Sequence, residues 1–175
     1  QLLFSAPQAA EATEWLQAAE PSANAVDIAI TLQIANGAPL AAQVLIQEGY
    51  PERFRVWREG WLKIIEGKAD PITLAEQWHR DEAPAVVTWL QHWVSALLQY
   101  QAAGRHSALF VGIEDALAAR AERFDAIALL QYYERYLQRA PRWLQGSANA
   151  QMQLEALLLA WAGKKVPVMT NSIAL

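Results

Sequence analysis

Three histidines, His79, His92 and His106, are the first residues in this chain whose type could do chemistry. A zinc site of the His-Glu-x-x-His kind puts two imidazoles one helical turn apart on one face. No two of these histidines stand four residues apart, and none sits in that pattern. They read as surface or packing residues. The acidic pairs Asp81-Glu82 and Glu114-Asp115 offer paired carboxylates of the kind used in acid–base hydrolysis. Each pair stands beside an expected helix start, where negative charge is stabilised by the helix dipole, and that reading is preferred. No Gly-x-x-x-x-Gly-Lys-Ser/Thr loop, no Gly-x-Gly-x-x-Gly and no Gly-x-Ser-x-Gly elbow occurs. With no cysteine in the chain, disulfides, thiolate metal ligands and a cysteine nucleophile are excluded. The expectation is a non-catalytic chain with no catalytic, cofactor-binding or metal-binding residues.

Arg53, Arg55, Arg58, Lys63 and Lys68 form the densest basic stretch, with Glu52, Glu59 and Glu66 among them. Arg55 and Glu59 stand at i, i+4, the spacing of a helical ion pair. A solvated, self-neutralised face is preferred over a DNA groove, and the net charge of −4 points the same way. Direct DNA contact through Arg53, Arg55 and Arg58 stays as the weaker reading. The pairs Trp57/Trp61 and Trp89/Trp93 each share one helical face, which reads as core packing, with a partner-facing ridge as the alternative. Tyr132, Tyr133 and Tyr136 span more than one face, so at least one reaches the surface. Together with Leu158 and Trp161 they are the candidate residues of an interface between subunits.

The elements that must position these residues all read as helices, with proline before and glycine after. Pro7 opens one to about Ala18, and Ser22 is a fair cap for another to Ala35. Asn36-Gly37 stops that helix and Pro39 starts the next, to about Gln47; Glu48-Gly49-Tyr50-Pro51 is the candidate linker. Glu52 to Glu66 is amphipathic, Asp70-Pro71 provides a cap and an N1 proline, and Pro84 opens a long helix to about Ala102. That long helix is apolar over far more than the roughly 100° a surface helix shows, so it belongs in the middle of a bundle. A helix near Asp115 to Ala121 follows. Asp125 caps a further one to about Arg139, with Ile127, Leu130, Tyr133, Tyr136 and Leu137 expected inward. Asn149 to Ala162 is the last helix. No alternating run suggests a strand, and no 34-residue repeat is present, so the fold class is all-α.

At 175 residues the chain is long enough to bury about 70% of its unfolded surface. Its 54% hydrophobic content and eight tryptophans require a thick core or apolar surface shared with a partner. No apolar run reaches the roughly 18 to 20 residues of a membrane span. The chain opens on Gln1 and reads as an internal or C-terminal piece of a longer cytoplasmic protein.

Four segments in order carry a resemblance. They are Ala35-Asn36-Gly37-Ala38-Pro39-Leu40-Ala41-Ala42; Gly67-Lys68-Ala69-Asp70-Pro71 with Ala75 and Trp78; Trp89-Leu90-Gln91-His92-Trp93 with Leu97-Leu98; and Asn149 followed by Leu154 to Trp161. Over nearly its whole length the chain resembles the C-terminal part of delta-prime-type subunits of bacterial DNA polymerase III, in the clamp-loader family. The resemblance implies a small helical AAA+ lid fragment at 1–48 and a helical-bundle collar domain for oligomerisation at 49–175. It implies gamma/tau-type and delta subunits as partners, contact with the sliding clamp and primed DNA only through the full complex, and no membrane. AAA+ lids that sense nucleotide carry a Gly-x-x-Arg joint; here the matching position is Leu40, uncharged, as suits a stator that hydrolyses nothing. A rival of another class is an all-helical ligand-sensing domain of a transcription regulator, with tryptophans and tyrosines lining an apolar pocket.

Overall fold

The structure, a computed structural model, describes residues 8–80, 83–104, 107–140 and 150–163. His106, the pair Asp81-Glu82, the breaks at Pro141 and Gly146-Ser147, and the expected helix-opening residues Pro7 and Asn149 lie outside the described residues. The described residues are helical, with no strand among them. Helices α1 Ala9–Ala19, α2 Ala25–Ile34 and α3 Pro39–Gln47 are followed by α4 Tyr50–Ile65, α5 Pro71–Arg80 and α6 Ala83–Ala103. A short 3-10 turn, Ala108–Phe110, leads to α7 Glu114–Ala118, a second 3-10 turn Ala121–Arg123, α8 Ala126–Tyr132, a π turn Tyr133–Leu137, and α9 Ala150–Leu159. No single described helix is long and apolar enough to cross a membrane.

By their contacts the residues form two compact units: 1–55 with 107–111, and 56–106 with 112–175. The division falls inside α4. The reason lies in Arg55, whose guanidinium binds Asp27 of α2 and so keeps the first turns of α4 with the first unit. Arg55 also bonds Glu52 at 2.9 Å. The expected Arg55–Glu59 pair thus gives way to a carboxylate from another helix.

In the first unit α1, α2 and α3 pack mutually around Ala12, Leu16, Ile28, Leu32 and Ala42. Asn24, not Ser22, caps α2: its Oδ1 accepts from Asp27 N at 2.9 Å while its Nδ2 donates to the Asp27 carboxylate at 2.8 Å. The helix therefore begins three residues after Ser22. At its other end Asn36 and Gly37 both take left-handed backbone, φ 51° and 81°. Gly37 N donates to Leu32 O at 2.8 Å and Asn36 N to Gln33 O at 3.2 Å, a Schellman closure of the last turn. Pro39 then occupies N1 of α3, and the two helices are bent by 118°. The 3-10 turn Ala108–Phe110 packs against α2.

In the second unit α5 lies against α9, and α6 touches α5, α8, the π turn and α9. α6 buries Val86, Val87, Trp89, Leu90, Trp93, Val94 and Leu97. It is the central helix, as its wide apolar surface requires. Thr88, Gln91, Ser95 and Gln99 are its narrow polar stripe. Asp70 caps α5 by accepting from Thr73 N at 3.0 Å and Thr73 Oγ1 at 2.8 Å, and these bonds hold its carboxyl below the usual carboxylate range.

The α8 face differs from expectation. Leu129, Tyr132 and Leu137 are buried, while Ile127 is 68% and Leu130 47% exposed. A simple 3.6-residue count fails because the helix widens at Tyr133–Leu137, where Gln138 N donates five residues back to Tyr133 O at 3.0 Å. The buried pair Tyr132 and Leu137 has that same five-residue spacing.

Candidate functional site

An aromatic core sets the geometry of the second unit. α4 presents Trp57 and Trp61, α5 Trp78, and α6 Trp89 and Trp93, all buried. Trp61 meets Trp93 edge-on at 5.0 Å and Trp161 at 5.3 Å; Trp89 stacks on Trp93 at 5.6 Å and meets Trp78 edge-on at 5.9 Å. Edge-to-face and offset pairs at these separations add to the area term of burial. Gly60 makes room for this packing, since a methyl group there would run into the Trp78 indole.

The candidate contact residues divide in two. Tyr132, Leu158 and Trp161 lie inside the unit. Tyr132 donates to Leu157 O at 2.9 Å and accepts from Trp161 Nε1 at 3.2 Å, which ties α8 to the end of α9. Burial pushes the Tyr132 hydroxyl well above its ordinary pKa, the Trp161 bond opposing in part, so it stays protonated and donating. Tyr133 and Tyr136 are half-buried at the surface. With Ile127 and Leu130 they stand three residues apart along α8 and the π turn, an apolar stripe whose first two members are turned to solvent. On α9, Met152 is 55% and Leu159 47% exposed, with half-buried Ala156 between them. Sequence reasoning missed Ile127, Leu130, Met152 and Leu159 as surface residues. The spacing of Met152, Ala156 and Leu159 on one face was a readable signal.

Beneath the end of α4, Arg120 bonds Glu66 at 2.9 Å and Lys68 bonds the same carboxylate at 2.8 Å. The Lys68 bond leads in holding the Glu66 carboxyl below its ordinary pKa. Arg123 donates to Ile65 O and, at 2.7 Å, to Gly163 O, joining the C-terminal ends of α4 and α9. A cleft of about 370 Å³ here is lined by Ile65, Glu66, Gly67, Arg123, Ala162 and Gly163. A second cleft, of about 320 Å³ in the first unit, is lined by Ala9, Ala12, Thr13, Ala29, Leu32, Gln33 and Gly37. No tryptophan or tyrosine lines either cleft, so neither is the aromatic pocket that a ligand sensor requires.

Of the basic stretch, Arg53 donates to Glu48 O at 3.4 Å and lies 6.0 Å from the Tyr50 ring centre, Arg55 is held by Asp27 and Glu52, and Arg58 is half-buried. His92 is partly buried, which lowers its pKa, and His79 is exposed. Among the described residues no three His, Asp or Glu side chains come together as metal ligands. Leu40 points to solvent, 68% exposed.

Comparison with known proteins gives this arrangement its relatives. The chain is 28% identical over 165 residues to DNA polymerase III subunit delta' of Pseudomonas aeruginosa, covering 92% of this chain and 50% of that protein. The chain thus spans about half the length of the curated relative it matches. No solved structure gives a significant match. The family model described as DNA polymerase III, delta subunit, C terminal, matches residues 60–163. That match takes in α5 to α9 and the tryptophan core apart from Trp57, and since it covers more than half of the chain, the protein belongs to this family of C-terminal regions of DNA polymerase III subunits.

Proposed function

We propose that this chain is the lid-end and collar part of a non-catalytic clamp-loader subunit, with 1–48 from the lid and 49–175 as the collar. Its work is assembly. The collar packs against gamma/tau-type and delta subunits in the cytoplasm and holds the ring while motor subunits load the sliding clamp at primed DNA. Three things support this reading: the family match, the similarity to a delta' subunit, and an uncharged Leu40 at the joint where a nucleotide-sensing lid carries arginine.

The observation that carries the assembly role is the apolar stripe Ile127, Leu130, Tyr133 and Tyr136, with its first two residues in solvent. Tyrosines are enriched at the centre of protein interfaces, and here two half-buried tyrosines continue a stripe of exposed aliphatic side chains. Tyr132 and Trp161 serve that stripe from beneath by tying α8 to the end of α9, and Leu158 is buried in the same unit.

Sedimentation of the full chain with gamma/tau-type collar protein at micromolar concentration tests the proposal. A complex is expected, together with its loss in Ile127→Asp and Tyr133→Asp variants that keep the helical signal of the parent. No complex with the parent chain, or undiminished binding by both variants, overturns it.

A further inference from the structure

The widened turn Tyr133–Leu137 exchanges two side chains between core and surface. Before it Leu129 and Tyr132 are buried, and after it Leu137 and Ala140, so the buried residues are spaced by three, five and three. An even helix turns by about 100° per residue. Counted from Tyr132, even winding would put Tyr136 about 40° away, in the interior, and Leu137 about 140° away, outside. The structure has the reverse. Leu137 is fully buried, and Tyr136 is half-buried at the surface with its ring centre 6.0 Å from that of Tyr132. Up to Tyr133 the ladder is ordinary, Tyr133 N donating to Leu129 O; the five-residue step comes with Gln138 N on Tyr133 O at 3.0 Å. Such π turns are rare, and they gather at functional sites.

Gln91 meets this turn from the side. It belongs to the narrow polar stripe of the central helix α6, is half-buried, and donates from Nε2 to Leu137 O at 2.7 Å. The π turn packs against α6, so even winding would carry Leu137 and its carbonyl round to the side away from that helix. The Gln91 bond therefore belongs to the wide winding alone. In either winding one large apolar side chain enters the core, Leu137 or Tyr136, so burial separates the two weakly. A bond made in only one of two arrangements shifts the balance between them by its full worth.

We infer that Gln91 is a positioning residue for the surface of α8: through Leu137 O it holds the wide winding that keeps Leu137 inside and Tyr136 outside, beside Tyr133. The gain is a second phenol at the end of the stripe begun by Ile127 and Leu130, with a ring for apolar contact and a hydroxyl for a hydrogen bond. The use of that phenol in contact rests on the assembly reading above. The winding itself does not.

Nitration of the full chain by tetranitromethane, mapped by mass spectrometry, tests the winding without any partner, and the chain has no cysteine to compete for the reagent. In the parent, Tyr133 and Tyr136 are expected to react and buried Tyr132 is not. Gln91→Leu keeps the bulk and removes the donor. It is expected to lower nitration of Tyr136 relative to Tyr133 by about fivefold, with Tyr132 still protected and the helical signal kept. Gln91→Lys restores an N–H donor on a chain of similar reach and is expected to return the ratio towards that of the parent. An unchanged ratio in Gln91→Leu overturns the proposal. So does a fall accompanied by nitration of Tyr132, which is loosening of the core, or a fall that Gln91→Lys leaves in place. Sedimentation with gamma/tau-type collar protein reads the contact separately. Gln91→Leu is expected to bind about fivefold more weakly than the parent, since its binding-competent winding is less populated. Undiminished binding overturns the role in contact, whereas absence of binding by the parent itself defeats the assembly reading and leaves the nitration ratio to decide the winding.

Discussion

The α1–α3 core of the first unit is built on aliphatic side chains and the core of the second on indoles. Ala12 and Ala42 let α1, α2 and α3 approach closely, with Leu16, Ile28 and Leu32 filling what remains. The second unit instead spends Trp57, Trp61, Trp78, Trp89, Trp93 and Trp161 on its interior. An aliphatic core spreads its stabilisation over many modest contacts. An aromatic core concentrates it in a few large residues, each touching several helices. Damage should therefore be graded in the first unit and abrupt in the second.

The largest test of that contrast is Trp61→Ala. Trp61 is fully buried and meets Trp93, Trp161 and Phe124, so its removal opens a cavity on three sides. A loss of about 3–5 kcal/mol is expected, measured by urea denaturation. Leu16→Ala in the first unit should cost about 2–3 kcal/mol, at the low end of its class, because a neighbouring helix carrying alanine can settle inward. Equal losses from the two variants would erase the distinction.

Gly60→Ala sharpens the same point with a reversed sign. Inside a helix alanine is favoured over glycine by about 1 kcal/mol. Here the added methyl meets the Trp78 indole, which is itself buried and cannot swing away. The variant should be destabilised by about 1–3 kcal/mol in spite of its helix propensity. A stabilised Gly60→Ala would mean that the α4–α5 contact yields easily and the aromatic core is softer than its packing indicates.

Tyr132→Phe asks how much the aromatic core owes to polar bonds. It keeps the ring and deletes the hydroxyl that bridges Leu157 O and Trp161 Nε1. Both partners stay buried without that bond, at an expected cost of about 1–3 kcal/mol in denaturant unfolding. Indole circular dichroism should change at Trp161 without loss of helical signal. A cost near zero would show that packing alone orients α9.

Much of this was readable from residues, and the misreadings have physical causes. Asn36-Gly37 followed by Pro39 announces a helix end and a helix start, and the backbone obeys it. Asp70-Pro71 likewise names its own cap. The long apolar helix from Ala83 had to be central, because no surface position can hide so wide a face. Three readings went differently, each for a reason that local patterns do not contain. Arg55 found Asp27, which is 28 residues away in sequence, closer at hand than Glu59. Ser22 lost the cap to Asn24, which makes a reciprocal pair of bonds with Asp27. The α8 stripe was assigned inward because a 3.6-residue count assumes an even helix, and the π turn at Tyr133–Leu137 shifts the phase. Of the candidate contact residues, the tyrosine cluster itself was legible. Which tyrosine lies inside was set by that shift in phase.

The smallest effect belongs to the joint between α2 and α3. Leu40 is 68% exposed on the first turn of α3, one residue past the N1 proline. A Leu40→Arg variant loses little packing and adds a solvated charge, so stability should stay within about 0.5 kcal/mol of the parent. Its use is functional. The Gly-x-x-Arg joint of a nucleotide-sensing lid would put arginine at this corner, so the variant asks whether the corner alone is enough. Binding a phosphate needs more than one guanidinium; it needs backbone amides or further cations converging on the same point. Around the joint the sequence offers Ala35, Asn36, Gly37, Ala38, Ala41 and Ala42, which carry no charge. Thermal melts of Leu40→Arg with and without millimolar ATP and magnesium should therefore coincide. A nucleotide-dependent rise in the melting temperature would show that the α2–α3 joint keeps a phosphate site needing only its missing charge, and the aliphatic packing of α1–α3 would then be serving a site as well as a core.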